Sequence, residues 1–249
     1  MPIPKTIHFF WFGRSRHPAI VRKCVESWRR VLPEYEIICW NEDNFDFTQN
    51  LFARQAYEKK RYAFVADYAR LHVLYHHGGI YMDADTEVLK PLDRFLHHPA
   101  FIGVVANYLQ TALIGAQKHN PWIKDLLDYY DAKTFVNPDA SLNIEMNNSI
   151  VNRITEKKYG LRRDNTYQEL AGAVAVYPDE FFGSDNPATG KFTITENTHV
   201  LHHFMSSWQD RDNFFLRKLM EAKTRLRWMI GRGLYKKLSI VYRWFVPIK

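Results

Sequence analysis

An apolar run broken only by His8, residues 7–12, stops at Gly13, and that length predicts a short buried strand. Pro18 then opens a stretch in which Ile20, Cys24 and Trp28 recur every fourth residue, the stripe of a helix that reaches about Val31 and is stopped by Leu32-Pro33. Residues 36–40 read as a second strand, followed by the turn chemistry of Asn41-Glu42-Asp43-Asn44. Strand, helix, strand at this spacing opens a βαβ unit, so a mainly parallel central sheet is expected. The clearest helix is residues 62–77, with Val65, Leu71, Leu74 and Tyr75 as its apolar positions. Gly78-Gly79 ends it, because glycine takes a left-handed cap at little cost. Ile80-Tyr81-Met82 enters a strand that runs on into Asp83-Ala84-Asp85. Beyond Pro91 the pattern loosens. Strands are expected over residues 101–106, 193–195 and 200–205 and a helix over 122–130. After Phe214 an amphipathic helical tail is expected, with Gly231 and Gly233 as a break.

Composition narrows the class. A chain of 249 residues, 46% apolar and 24% charged, carries enough apolar surface for one α/β domain and is too hydrophobic for disorder. Cys24 and Cys39 form no disulfide framework or zinc motif, which points to a reducing compartment. The N-terminal residues lack a signal-peptide pattern, and no apolar run approaches the roughly 20 residues of a membrane span. Residues 211–249 hold 11 Lys or Arg against Asp212 and Glu221, a net of +9; the chain as a whole is +7, which leaves −2 for the rest. A near-neutral body argues against nucleic acid as partner, and the basic tail calls for an anionic one. The expected organisation is a catalytic domain over residues 1–210 and a basic, aromatic-rich tail over 211–249.

Chemistry concentrates at Asp83 and Asp85. Aspartates at i and i+2 of a strand share a face, and at its end they can hold one divalent cation through oxygen ligands. Asp-x-Asp alone is weak: it arises by chance on the order of once in a chain of this length, and Asp210-Arg211-Asp212 is a second copy. Context separates the two, since only the first follows an apolar strand behind Gly-Gly. Asp67 and Arg70, three apart on the preceding helix, share a face. They read as a surface ion pair or, if the helix packs beside the aspartates, as a site in which Arg70 orients Asp67 or meets a phosphate while Asp67 accepts from a hydroxyl.

Two stretches carry a resemblance to a known family. Residues 3–13, Ile-Pro-Lys-Thr-Ile-His-Phe-Phe-Trp-Phe-Gly, and the run from Phe64-Val65-Ala66-Asp67-Tyr68-Ala69-Arg70-Leu71 through Gly78-Gly79-Ile80-Tyr81-Met82-Asp83-Ala84-Asp85 resemble glycosyltransferase family 32, with a relation to the glucosylating domain of large clostridial toxins. The similarity is dense over residues 3–93 and returns near 200–208. It implies the GT-A fold, a Rossmann-like nucleotide-binding α/β sandwich, and transfer of a hexose from a nucleotide-diphosphate sugar, a UDP-sugar favoured, with retention of configuration and with Mn2+ or Mg2+. It also implies roles. Trp11 stacks on the base and Asn41 sits near it. Asp67 and Arg70 bind the donor, and Tyr81 contacts a phosphate. Asp83 touches ribose and a metal-bound water, and Asp85 ligates the metal. In His202-His203-Phe204-Met205-Ser206-Ser207-Trp208, Ser206 and Trp208 contact the phosphates. A preceding histidine ligates the metal, and spacing favours His203 over His202; neighbouring strand residues face opposite ways, so only one of them points inward.

Two rival readings remain. A haloacid-dehalogenase phosphohydrolase also uses Asp-x-Asp after an apolar strand, but its hydroxyl or valine position is here Glu87, with Thr86 one place early. A non-enzymatic membrane-binding module accounts for the tail but leaves Trp11, Asp67, Arg70 and Asp85 without a purpose. The tail's basic and aromatic residues suit an anionic membrane surface. A cytoplasmic enzyme peripheral to the inner leaflet, acting on a glycan or lipid-linked acceptor in capsule or lipopolysaccharide assembly, is therefore expected. No carboxylate stands out as a covalent nucleophile, which favours front-face attack.

Overall fold

A computed structural model of the chain describes residues 1–183 and 194–203. The expected opening is present: strand β1 (Thr6–Phe10), helix α1 (Ala19–Val31) and strand β2 (Glu36–Trp40), with β1 and β2 parallel and in register from Thr6↔Glu36 to Phe10↔Trp40. Helices α2 (Leu51–Glu58) and α3 (Tyr62–His77) follow, then strands β3 (Gly79–Met82), β4 (Thr86–Val88), β5 (Ala100–Val105) and β6 (Tyr108–Ala116). Helices α4 (Pro121–Asp131) and α5 (Asn147–Tyr159) precede β7 (Gln168–Leu170), β8 (Val174–Tyr177) and β9 (Val200–His202).

Seven strands form one sheet in the order β2-β1-β3-β6-β5-β8-β7, while β4 and β9 pair separately. The sheet is parallel across β2, β1 and β3, where the crossover helices lie. Beyond β3 it becomes mixed: β6 is antiparallel to β3 and β5, and β8 is parallel to β5 but antiparallel to β7. The α/β sandwich read from the sequence holds. The antiparallel part was hidden because β6 is buried on both faces, so its sequence shows no alternation.

Strand alternation builds two cores. Ile7 and Phe9 of β1 and Ile80 and Met82 of β3 pack under α1 with Trp28 and Phe95. Phe10 and Tyr81 face the other way, into the layer made by α2, α3, α4 and α5. Helix α3 ends at Gly78, with φ +69°, and the next residue, Gly79, has φ +103°. A Cβ on Gly79 would lie 2.7 Å from the Thr6 carbonyl oxygen and 2.9 Å from His8 Nε2, so the pair lets helix and strand meet this closely.

Several expected boundaries move. The strand before the aspartates ends at Met82, so Asp83-Ala84-Asp85 forms a turn and not a strand end. Helix 122–130 starts one residue earlier, because Asn120 caps it through the amides of Trp122 and Ile123 and Pro121 fits its first turn. The last described strand stops at His202, and residues 194 and 195 are not in a strand. Residue 193, residues 204–205 and the tail over 211–249 lie outside the described residues. Among the described residues no helix is long and apolar enough to cross a membrane.

Candidate active site

The turn after β3 is fastened from three sides. The Asp83 amide donates to the Ala112 carbonyl of β6 at 2.8 Å, and the Thr86 amide closes the turn on the Asp83 carbonyl at 3.0 Å. From α1, the indole N–H of Trp28 donates to the Thr86 carbonyl at 2.6 Å, and Ser27 Oγ accepts from the Val88 amide at 3.0 Å. Residues 86–88 are thus held as β4, which pairs with β9 so that Thr86 lies opposite His202. The two carboxylates therefore converge through a turn, not through the same-face rule of a strand.

Pairing of β4 with β9 also decides between the histidines. His202 Nε2 lies 3.3 Å from Asp85 Oδ1 and 3.6 Å from Asp83 Oδ2. His203 points away: its Nε2 is 2.9 Å from Glu87 Oε2, and Glu87 also takes Lys23 Nζ at 3.0 Å. The preference for His203 is corrected on this geometry, because the backbone N–H of His203 is spent on the Asp85 carbonyl, at 3.1 Å, and its side chain leaves on the opposite side. Asp83, Asp85 and His202 offer ligand atoms within 4.8 Å of one another. Ligands of a small divalent cation, each about 2.1 Å from it, lie at most about 4.2 Å apart, so the group suits such an ion with little movement. Burial works against the His202 imidazolium, but the hydrogen bond to Asp85 and the charges of Asp85 and Asp83 outweigh it and raise its pKa above the ordinary value.

Beside this group lies a buried ion pair. Arg70 Nη2 donates to Asp67 Oδ1 at 2.8 Å and Nη1 to the Thr111 carbonyl at 2.8 Å, while Nε bonds back to the Ala66 carbonyl at 3.1 Å. The guanidinium stacks 4.5 Å over the Tyr81 ring, and Nη1 is 3.6 Å from Asp83 Oδ1. The Tyr81 hydroxyl donates to Asp83. Burial pushes the Asp67 carboxyl up, opposed by Arg70. For Arg70 burial acts downward, and the surrounding Tyr81, Asp67 and Asp83 overcome it. The i, i+3 spacing found this pair; Thr111, from the opposite sheet strand, was not legible.

Trp11 and Asn41 share a different feature. With Arg14, Ser15, His17, Cys39, Glu42 and Asp43 they line a groove of about 290 Å3 beyond the ends of β1 and β2. The half-buried Trp11 ring meets His17 edge-on at 5.0 Å, and its N–H donates to the Ser15 carbonyl at 2.7 Å. Glu42, missed in the sequence, braces the groove by accepting from the Gly13 amide at 2.6 Å and the Tyr57 hydroxyl at 3.0 Å. Ser206 and Trp208 lie outside the described residues.

An α/β sandwich with an Asp-x-Asp turn and an inward histidine is an arrangement that a DXD-containing glycosyltransferase would need. Residues 18–102 match the family described as a glycosyltransferase sugar-binding region containing a DXD motif, so the family resemblance read from the sequence is borne out. The chain is similar to a glycosyltransferase of Acanthamoeba polyphaga mimivirus, 27% identical over 219 residues, covering 83% of this chain and 84% of the relative. It is 31% identical over 111 residues to inositol phosphoceramide mannosyltransferase 1 of Schizosaccharomyces pombe, covering 40% of this chain and 33% of that one. The chain thus spans about a third of that mannosyltransferase's length. Among solved structures it is similar to the PaToxG glycosyltransferase, at 18% identity and a TM-score of 0.49 over 63% of this chain and 69% of that one.

Proposed function

We propose that the chain moves a hexose from a nucleotide-diphosphate sugar to a glycan or lipid-linked acceptor, with retention of configuration and with Mn2+ or Mg2+. The observation that carries this reading is the junction of Asp83, Asp85 and His202 with the Asp67–Arg70 pair inside the DXD region. Asp85, Asp83 and His202 would hold the cation; an imidazole in the set favours Mn2+ over the harder Mg2+. When bound, the cation neutralises the charge that develops on the leaving diphosphate. Tyr81 orients Asp83 through its hydroxyl. Asp67, held by Arg70, accepts from a hydroxyl of the donor. Trp11 and Asn41 line the groove that would take the base, and Ser206 and Trp208 are proposed to meet the phosphates. Asp67 is engaged by Arg70, and Asp83 and Asp85 by the metal group, which supports front-face attack over a covalent intermediate. UDP-sugars are the favoured donors, and the similarity to proteins named mannosyltransferases adds GDP-mannose to those worth testing.

The test is release of nucleoside diphosphate from UDP- and GDP-sugars by the full chain. Turnover should need Mn2+ or Mg2+, vanish with a chelator and return with added metal. Turnover indifferent to chelator would sink the metal assignment. Hydrolysis of simple phosphate monoesters without donor turnover would favour the phosphohydrolase.

The net +9 of residues 211–249 supports a second, separate proposal: attachment to an anionic membrane face, cytoplasmic and peripheral, in surface polysaccharide assembly. Co-sedimentation with anionic vesicles should be strong, weaken with salt and drop when the chain is cut after Asp210. Equal sedimentation of both forms would count against it.

A further inference from the structure

Helix α3 carries two histidines one turn apart, His72 and His76, and positions i and i+4 share a helix face. Their rings are in contact, with centroids 4.4 Å apart. Other histidines of the fold are engaged: His8 with the Gly78 carbonyl, His98 with the Tyr177 hydroxyl, His199 with the Pro91 carbonyl and His203 with Glu87. Among the described residues neither His72 nor His76 has a hydrogen-bond partner, and the buried Nδ1 of His72 is left without one. No hydrogen bond therefore fixes the His72 tautomer; with the proton on Nδ1, Nε2 presents its lone pair. The His72 ring packs against Phe45 and Tyr68, at 5.6 and 5.7 Å between centroids, while His76 is exposed. One ring is thus held by the core, and the other can turn to meet an ion from solvent.

Two neutral imidazoles side by side suit a transition cation better than they suit an oxygen-seeking one. Imidazoles on neighbouring positions of one ion, each nitrogen about 2.1 Å from it, have ring centres roughly 4.5–5 Å apart, close to the spacing already present. Both rings are neutral near pH 7. Burial first, then His76 and His77, pushes the His72 pKa down to about 4, and burial, His77, His119 and Lys118 lower that of His76. Lys118 would also repel a bound cation. The helix acts the other way: α3 ends at Gly78, and the last carbonyls of a helix carry partial negative charge. We propose that His72 and His76 bind a transition-metal ion of the Zn2+ class, with water completing its shell, at a site separate from the cation group at Asp83, Asp85 and His202. The ion staples the last two turns of the helix that carries Asp67 and Arg70. The proposal stands apart from the glycosyltransferase reading and does not need it. The His-x-x-x-His spacing is visible in the chain, but only the fold shows that the two rings meet and that neither is engaged elsewhere.

The test is calorimetric titration of the full chain with Zn2+ at pH 7.5, with thermal unfolding followed alongside. Zn2+ also suits the aspartate group, so the titration is made in Asp85→Asn, where that group has lost a carboxylate, and repeated with His76→Ala or His72→Phe added. Asp85→Asn should bind one ion per chain at the histidine pair and gain about 2 °C or more in Tm with Zn2+. Adding His76→Ala or His72→Phe should weaken that binding by about tenfold or more and remove the gain. His77→Ala, about 100° further round the helix, should leave Zn2+ affinity within about twofold. Mg2+, which prefers oxygen ligands, should give no gain in Tm through the pair. His76 is exposed, so His76→Ala should melt near its parent without metal; His72→Phe keeps the ring packing and supplies an independent reading. Absence of Zn2+ binding in Asp85→Asn would overturn the proposal, as would an affinity unchanged by both added substitutions or one lost equally with His77→Ala.

Discussion

Asp85 sits where the β3–β4 turn meets β9, buried to 9% exposure and facing His202. Replacing it by asparagine keeps the size and removes the charge that would hold the proposed cation. Asp85→Asn should unfold near the wild-type temperature and lose turnover by orders of magnitude. Turnover within about threefold, under 1 kcal/mol of barrier, would remove Asp85 from the metal group. Asp210→Asn, in the second Asp-x-Asp, is the control and should be nearly silent. Trp11 tests the groove. If its ring stacks on the base, Trp11→Ala should weaken binding of a nucleoside diphosphate by about 1–3 kcal/mol in calorimetric titration. A drop in melting temperature with affinity unchanged would make Trp11 a packing residue against His17. At this scale the sequence exposed residue type and spacing: Asp67, Arg70, Tyr81, Asp83 and Asp85 were all marked in one segment. It did not expose Thr111, Glu42 or Trp28. Their contribution is a carbonyl, a brace or an indole N–H delivered across the fold, and no local pattern announces it.

Secondary elements were legible in proportion to how one-sided their burial is. Residues 62–77 and 36–40 coincide with α3 and β2, because each carries a clear pattern and a strong stop signal. Helix α5 was missed because Asn147, Asn148, Asn152 and Arg153 interrupt its apolar stripe, and β6 because both of its faces are covered. Helix α1 does more than cover the sheet. The Trp28 indole fixes the Thr86 carbonyl and so the strand that delivers His202. Trp28→Phe keeps most of the ring and leaves that buried carbonyl without its donor. We expect a loss of about 1–3 kcal/mol in urea unfolding and weaker activation by Mn2+, seen as a higher metal concentration for half-maximal turnover. Unchanged metal dependence would mean that β4 holds its position without α1.

For the molecule as a whole, buried histidines set the response to acid. His8 lies between β2 and β3; its Nδ1 accepts from the Trp40 indole at 3.1 Å, which leaves Nε2–H to donate to the Gly78 carbonyl at 2.9 Å. A second proton would face an N–H already pointing at it. Burial first, with His77 adding to it, pushes its pKa down to about 4, against 6.5 when free. His72, packed against Phe45 and Tyr68, is also lowered to about 4 by burial. In this case the unfolded chain takes up protons first. Stability is therefore full above pH 6.5 and falls as pH drops from 6.5 towards 4, by about 1.4 kcal/mol per unit for His8, roughly 3 kcal/mol over the window. Urea midpoints at pH 7.5 and 4.5 should differ accordingly, and His72→Phe should reduce the difference. Equal midpoints would show that these histidines reach solvent.

The sequence by itself determined the α/β class, the opening strand–helix–strand unit and the segment that carries the aspartates, because periodicity and the Gly-Gly stop are local properties of a chain. Only the tertiary structure decided that Asp83 and Asp85 converge through a turn and that His202 and not His203 lies against them. Each of these depends on which distant strands pair and in what register: Thr86 opposite His202, and Asp83 bonded to Ala112. A register shift of one residue along β9 would turn the other histidine inward without changing a letter of the sequence.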